Sequence, residues 1–316
     1  MKHNELEIVP HNPASFRIFL VDLMYRTPHT HKDFELSCVL DGAVDVTLQG
    51  GTRTLKPRNL FLVNPYESHE LHAEAPTLIV SLQISPDYFR GFAPSIEQTA
   101  FDSHWLKDSP VFPLADRAPH ITYSECLLEI CESWCLQYDM WELQCCSVIN
   151  ALFYSLFKEA GYHLMSDQEQ RMSEAKGRRM RKLIKYIDAH YQEKLLLSDI
   201  AEQQQLSLHY LSHFFKDTFG MSFQDYLSRI RCEHARQLLL SSDLNLLDIS
   251  MSCGFSDPKY FNRDFKLLYG RTPKEYRRDF EKSGSTQRQL SMLTTQQFLS
   301  REESLMQLSR IRSSRG

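Results

Sequence analysis

Two sets of polar side chains in this 316-residue chain have the types and spacing to do chemistry. In the front half, His29, His31 and Glu35 are followed by His69. Alternation along an extended chain puts residues 29, 31 and 35 on one face, with His69 able to join them from a later strand. Three imidazoles and a carboxylate could ligate Fe, Mn, Ni or Zn, and open coordination positions would allow oxygen or hydrolytic chemistry. The same four groups could equally contact a bound small molecule or hydrogen-bond within the protein. In the back half, His209, Ser212, His213 and Lys216 follow the spacing i, i+3, i+4, i+7, and so do Lys259, Asn262, Arg263 and Lys266. All eight can donate hydrogen bonds or carry positive charge, and none is acidic. In the major groove Arg and Lys pair with guanine edges, Asn pairs with adenine, and Lys meets phosphate.

One polar helix face is ordinarily just a solvated face. Here the face occurs twice, because the chain repeats itself. Residues 210–222 align with 260–272 at an offset of 50, so that Phe215 matches Phe265 and Lys216 matches Lys266, and Tyr226 then matches Tyr276. Leu211 and Phe215, like Phe261 and Phe265, lie four apart and would seat each helix on its core. A short helical segment precedes each copy, at 199–204 and at 248–252, so helix, turn and helix occur twice. The turn before the second copy has Gly254 where the first has Gln205. A positive φ at the non-glycine position would cost about 1 kcal/mol.

Charge separates the two halves. Residues 1–175 hold 12 basic and 24 acidic side chains, residues 176–282 hold 19 and 14, and the last 34 hold 5 and 2. A basic segment behind an acidic one suits a polyanionic partner for the back module alone. Apolar residues make up 42% and aromatics 11%, enough to fill two cores. Segments 16–25, 35–40, 43–48, 60–63 and 78–84 read as strands between turns at Asp41-Gly42, Gly50-Gly51, 56–59 and Asn64-Pro65. From Ser124 to Gly161 helical spacing takes over, as in Leu127, Leu128, Cys131, Trp134 and Cys135. The expected organisation is a barrel over 1–95, a helical hairpin region over 96–164 that buries its face against a partner copy or its own barrel, a polar linker at 165–177, a helical module at 178–282, and a tail at 283–316 that is disordered or at most a loose amphipathic helix.

Residues 254–266, Gly-Phe-Ser-Asp-Pro-Lys-Tyr-Phe-Asn-Arg-Asp-Phe-Lys, with Gly270-Arg-Thr-Pro273 and Tyr276-Arg277, resemble the signature of the AraC/XylS family of bacterial transcription regulators. The resemblance covers about 100 residues, from near Arg178 to Arg278. It implies two helix-turn-helix units joined by a long helix, here 223–240, whose second helices enter successive major grooves about 34 Å apart. Carried over by position, the base-reading candidates are His209, Ser212 and His213 with Pro258, Lys259, Asn262 and Arg263, while Lys216, Lys266 and Arg277 take phosphate or structural roles. His29-x-His31-x3-Glu35-x6-Gly42 resembles the first cupin motif, with Lys56-Pro-Arg-Asn59 standing where a Pro-x-Gly turn is expected in a degraded second motif. Sensory barrels of the family are similar in retaining such residues without metal and in holding a small molecule such as a sugar.

The expectation is therefore a two-domain α+β chain: an N-terminal cupin-like β-barrel with a helical hairpin, then an all-α double helix-turn-helix. Its expected role is that of a homodimeric transcription regulator, more an activator than a repressor, which binds promoter DNA, meets RNA polymerase and answers to an effector held near His29, His31, Glu35 and His69. No catalytic residues, resident metal or cofactor are expected. A metal-dependent cupin enzyme with a DNA-binding appendage is the rival reading. No apolar run reaches the roughly 18 residues of a membrane helix and no secretory signal opens the chain, so the expected location is the cytoplasm. Eight irregularly spaced cysteines fit reduced thiols packed as small hydrophobes better than a disulfide framework.

Overall fold

A computed structural model of the chain describes residues 16–48, 51–91, 96–111, 121–282 and 296–313, with no side chains described at 281 and 282. Contacts divide the chain into two compact units, a back unit of residues 178–282 that also takes in Thr27–His29 at the end of the first strand, and a front unit that takes in most of the front half together with 296–313.

The front unit is a curled eight-stranded sheet. Strands β1 (Phe16–His29), β2 (Phe34–Asp41), β3 (Val44–Leu48), β4 (Gly51–Leu55), β5 (Leu60–Val63) and β6 (His69–Ile84) come first, followed by β7 (Thr99–Phe101), which pairs outside this sheet, and β8 (Trp105–Leu106); a late strand at Gln296–Phe298 completes the eight. The 16-residue β6 pairs with β2 and, nearer its start, with β3. The expected turn residue Gly50 lies outside the described residues. Strand parity explains the near-continuous apolar run of β2, which is covered on both faces. Leu36, Cys38 and Leu40 join Ile18, Leu20, Leu62 and Leu82 in the core beneath the helices, whereas Val39 joins Val21, Val46, Phe61 and Ile79 on the other side.

Helices α1 (Tyr123–Leu136) and α2 (Trp141–Glu159) form the expected hairpin. Thr122 and Glu125 cap α1 reciprocally. Cys126, Leu127, Ile130, Cys131, Ile149 and Leu152 bury themselves on the sheet, so of the two covers expected for these helices the described structure supplies the barrel. Strand β9 (Tyr162–Leu164) pairs with β7.

Two expectations need correction. The polar stretch 165–177, expected as a linker, is helical and ends where the two units divide. It forms the first half of helix α3 (Asp167–His190), started by a capping box in which the Glu169 carboxylate accepts from Ser166 N at 2.7 Å and Glu169 N donates to Ser166 Oγ at 3.3 Å. Glu, Gln, Arg, Met, Ala and Lys are all good helix formers, so low hydrophobicity did not signal loop. The tail is not wholly disordered or loose either. Strand β10 (Gln296–Phe298) pairs with β1, matching Val21 to Phe298 and Leu23 to Gln296. The final helix, Arg301–Ser313, buries Leu308 and Ile311 in the same core as α1. Positions 283–295 and 314–316 lie outside the described residues.

In the back unit the order is the second half of α3, then α4 (Leu197–Gln203), α5 (Leu208–Phe219), α6 (Phe223–Ser241), α7 (Leu246–Ser252), α8 (Pro258–Tyr269) and α9 (Pro273–Lys282); the chain's last helix, 301–313, is α10. Two cores flank α6. Met180, Leu183 and Ile187 of α3 pack with Ile200, Leu211, Phe215 and Tyr226, and Cys232, Ala235 and Leu239 pack with Ile249, Phe255, Phe261 and Phe265. The duplicated apolar pairs thus seat α5 and α8 in equivalent ways.

Candidate nucleic-acid interface and candidate effector site

Helices α5 and α8 begin with matched caps: the Ser207 hydroxyl accepts from Tyr210 N, and the Asp257 carboxylate accepts from Lys259 N at 2.8 Å with Pro258 at the first helical position. With Leu211, Phe215, Phe261 and Phe265 turned into their cores, the opposite faces point outward. His209, Ser212, His213 and Lys216 are exposed on α5, as are Lys259, Arg263 and Lys266 on α8, with Pro258 and Asn262 half-buried beside them.

Among the described contacts, these side chains are engaged locally. The His209 and His213 rings lie 4.5 Å apart. Asn262 Nδ2 donates to Pro258 O at 2.8 Å, Arg263 Nε donates to Asp264 Oδ1 at 2.7 Å, and Lys259 Nζ lies 3.4 Å from Asp257. The Tyr260 ring lies under both cations, 4.9 Å from Lys259 Nζ and 5.2 Å from Arg263 Cζ. Apart from the half-buried Asn262–Pro258 bond, these contacts are exposed and can be exchanged for a ligand at little cost.

Of the phosphate and structural roles expected for Arg277, its contacts supply the structural one. Its guanidinium donates to Leu239 O at 3.0 Å and Leu244 O at 2.8 Å, tying α9 to the C-terminal end of α6, which is the structural role. A second arginine, missed in the sequence, organises the same module. Arg236 is 1% exposed and donates to Glu233 at 2.7 Å, while Tyr269 Oη donates to Glu233 Oε2 at 2.7 Å. Burial alone would lower Arg236, but the Glu233 charge outweighs it and holds the guanidinium protonated.

The turn glycine and its counterpart behave as the repeat implies. Gly254 has φ +80° and Gln205 has φ +54°, so the first unit adopts the same left-handed turn without glycine. Gly254 also has no room for a side chain: a Cβ there would lie 2.7 Å from the carbonyl oxygens of both Tyr191 and Gln192.

His29, which ends β1, His31 and His69 each have one potential ligand atom lying within 4.8 Å of the others. Glu35 joins them: its Oε2 is 3.0 Å from His31 Nε2 and 3.8 Å from His69 Nε2. His31, Glu35 and His69 are buried and His29 is half-buried. Glu35 also accepts from Gln83 Nε2 at 2.8 Å and from Ser37 Oγ at 2.8 Å, and Ser37 hydrogen-bonds Ser81 at 2.7 Å. The sequence reading missed Ser37, Ser81 and Gln83, although parity along β2 and β6 could have found them. Burial alone would push the Glu35 carboxyl up, but the hydrogen bond from His31, the neighbouring imidazoles and the Gln83 amide hold it well below the carboxylate range. Burial pushes His69 down to about 4, with Glu35 opposing.

All eight cysteines are free thiols, and seven are buried. Burial pushes Cys126 and Cys145 up to about 12, which fits their place in the core as small hydrophobes.

Comparison with known proteins agrees with both modules. Residues 13–121 match the family profile described as AraC-like ligand binding domain, and residues 200–279 match one described as helix-turn-helix domain. The chain is 40% identical over 95 residues to the uncharacterized HTH-type transcriptional regulator YijO of Escherichia coli K12, an alignment covering 30% of this chain and 34% of that one. It is 25% identical over 256 residues to the HTH-type transcriptional activator RhaS of Yersinia pestis, covering 79% of this chain and 88% of that protein. Among solved structures, the C-terminal domain of the response regulator yesN from Fusobacterium nucleatum matches 31% of this chain and 98% of its own at 42% identity, with a TM-score of 0.30. The chain thus spans about a third of the length of YijO and most of RhaS. With a profile described as AraC-like ligand binding domain over its sheet and a helix-turn-helix profile over its duplicated helices, this chain carries the two modules of AraC-type regulators.

Proposed function

We propose that this protein is a sequence-specific DNA-binding regulator of transcription whose front sheet senses a small effector. The observation that carries the reading is the pair of exposed, acid-free donor faces on α5 and α8, each seated by the same two apolar anchors of a duplicated segment. The base-reading groups are His209, Ser212 and His213 on the first helix and Pro258, Lys259, Asn262 and Arg263 on the second, with Lys216 and Lys266 on phosphate. His29, His31, Glu35 and His69 form the effector end of the sheet. In this reading the protein acts in the cytoplasm as a homodimeric activator that meets RNA polymerase. The effector works by linkage, favouring the arrangement of the chain that can occupy its sites. No observation favours the rival reading as an enzyme.

Selection of bound fragments from a random duplex library by the full chain, followed by band-shift titration of the winning sequence, tests this. The expected result is an enriched motif with two half-sites about one helical turn apart. Binding that falls steeply with salt yet enriches no sequence would refute sequence-specific recognition.

A further inference from the structure

We propose that Arg179, on the helix that precedes the first helix-turn-helix unit, contacts a DNA phosphate at the edge of the groove that α5 enters, with Tyr210 as the positioning residue that seats it. The contact rests on the DNA-binding role proposed above and comes from outside the two duplicated helices.

The duplication shows what α5 lacks. At the offset of 50, His209 stands opposite Lys259 and His213 opposite Arg263. Helix α8 thus carries two permanent cations where α5 carries imidazoles. The tyrosine beside them is kept, as Tyr210 and Tyr260, and the two are equally exposed at 41% and 40%. In the second unit the Tyr260 ring holds Lys259 and Arg263 of its own helix. The Tyr210 ring holds a cation as well, but that cation comes from α3. Arg179 Cζ lies 5.1 Å from the Tyr210 ring and 5.6 Å from the Phe214 ring, and Arg179 Nη1 donates to Tyr210 Oη. Both units therefore stage positive charge on the same tyrosine, beside the donor face.

Helix packing explains how α3 reaches that place. Met180, Leu183 and Ile187 seat α3 in the core that also holds Leu211 and Phe215. Arg179 lies one residue before Met180 and one turn before Leu183, at the border of the buried face, so its guanidinium extends over the neighbouring helix.

Charge balance favours an anion as the ligand. Arg263 pairs with Asp264 and Lys259 with Asp257, so both α8 cations are partly neutralised. Among the described residues no carboxylate pairs with Arg179, whose partner is a hydroxyl. A guanidinium offers five N–H donors in a planar fork, and the bond to Tyr210 uses one; the others suit two oxygens of a phosphate. Arg178, Lys182 and Lys185 are exposed on the same helix, and residues 178–187 include no acidic side chain. Position decides between phosphate and base. Tyr210 and Phe214 run along the flank of the row formed by His209, Ser212, His213 and Lys216, and the flank of a helix lying in a groove meets the backbone rather than base edges.

The test is band-shift titration of the selected duplex by the full chain over a range of salt. Arg179→Ala should lower the slope of log affinity against log salt by about 0.9, the share of one phosphate, which amounts to about eightfold weaker binding at 0.1 M. The order of preference among single-base variants of the duplex should stay that of the unmodified chain. Arg179→Gln, which keeps a polar stem over the ring and removes the charge, should show the same loss, and Arg179→Lys should restore most of the slope. Binding equal to that of the unmodified chain, or weaker binding with an unaltered slope, would make Arg179 a packing residue between α3 and α5 and overturn the contact. A loss confined to one base position would overturn the phosphate assignment. An unmodified chain that binds no duplex refutes the DNA-binding role and this contact with it, whereas each of the other adverse results leaves that role standing.

Discussion

Replacing Gly254 by Ala should damage the helix-turn-helix unit and nothing else. The glycine sits at φ +80°, where an L-residue pays about 1–2 kcal/mol. The added Cβ would also press on the carbonyl oxygens of Tyr191 and Gln192 at 2.7 Å. Those carbonyls cannot retreat cheaply. Arg231 Nε donates to Tyr191 O at 2.8 Å and its Nη2 to Glu193 O at 2.8 Å, while the Tyr191 ring stacks on His234 at 4.0 Å. Overpacking of this kind costs about 1–3 kcal/mol. Alanine returns about 0.4–1 kcal/mol by restricting the unfolded chain. The net loss is then roughly 2–4 kcal/mol, a large fraction of a domain's stability. Urea denaturation separates the units, because Trp105, Trp134 and Trp141, the three tryptophans of the chain, all lie outside 178–282. The far-ultraviolet helical signal should acquire an early transition while the tryptophan midpoint stays fixed. At Gln205, φ is already +54°, so Gln205→Gly trades about 1 kcal/mol of strain against 0.5–1 of backbone entropy and should stay near neutral. A Gly254→Ala variant within about 0.5 kcal/mol of the unmodified chain would refute this account of the turn.

Three further outcomes follow from the same contacts. Arg263→Ala should weaken binding to the selected sequence about ten- to a hundredfold and relax preference at one base position, measured by competition with single-base variants; an equal loss on all sequences would reassign Arg263 to phosphate. Ending the chain at 295 removes β10 and α10, exposing the surface that Leu308 and Ile311 cover at about 1.5–3 kcal/mol each, so the tryptophan-detected midpoint should fall sharply. Arg301 lies 5.1 Å from the Trp134 ring, so the emission should change as well, and an unmoved midpoint would mean that the segment does not support the sheet. The front sheet should lose stability as pH falls. His69 is held at about 4 in the fold against an ordinary 6.5, so the unfolded chain binds the extra proton between those values. About 3 kcal/mol present above pH 6.5 should be lost by pH 4, with Glu35 adding a further loss below the ordinary carboxylate range. A His69→Gln variant should flatten the upper part of that profile, and an unchanged profile would contradict the assignment.

Legibility followed the range over which each signal acts. The donor faces of α5 and α8 could be read because helix period and apolar anchors are local, and the repeat gave the same answer twice. The left-handed turn at Gln205 followed from its alignment with Gly254. The start of α3 was equally local, in Ser166 and Glu169, but polar composition was taken for a linker. Arg277 could not be placed from the motif alone, since the carbonyls it serves, at 239 and 244, come into reach only when α9 folds against the end of α6.

By itself the chain's order of residues determined which segments are helical or extended, which faces are apolar, that a helix-turn-helix unit occurs twice, and that histidines 29 and 31 share parity with Glu35. Those properties depend on neighbours within a few positions. Tertiary structure alone decided that β10 borders β1 across some 270 residues, that Leu308 and Ile311 finish the core under α1, and that His69 arrives beside Glu35 with Gln83 behind it. Such pairings arise when distant apolar and polar surfaces are buried together, and no local spacing encodes which distant partner will cover which face.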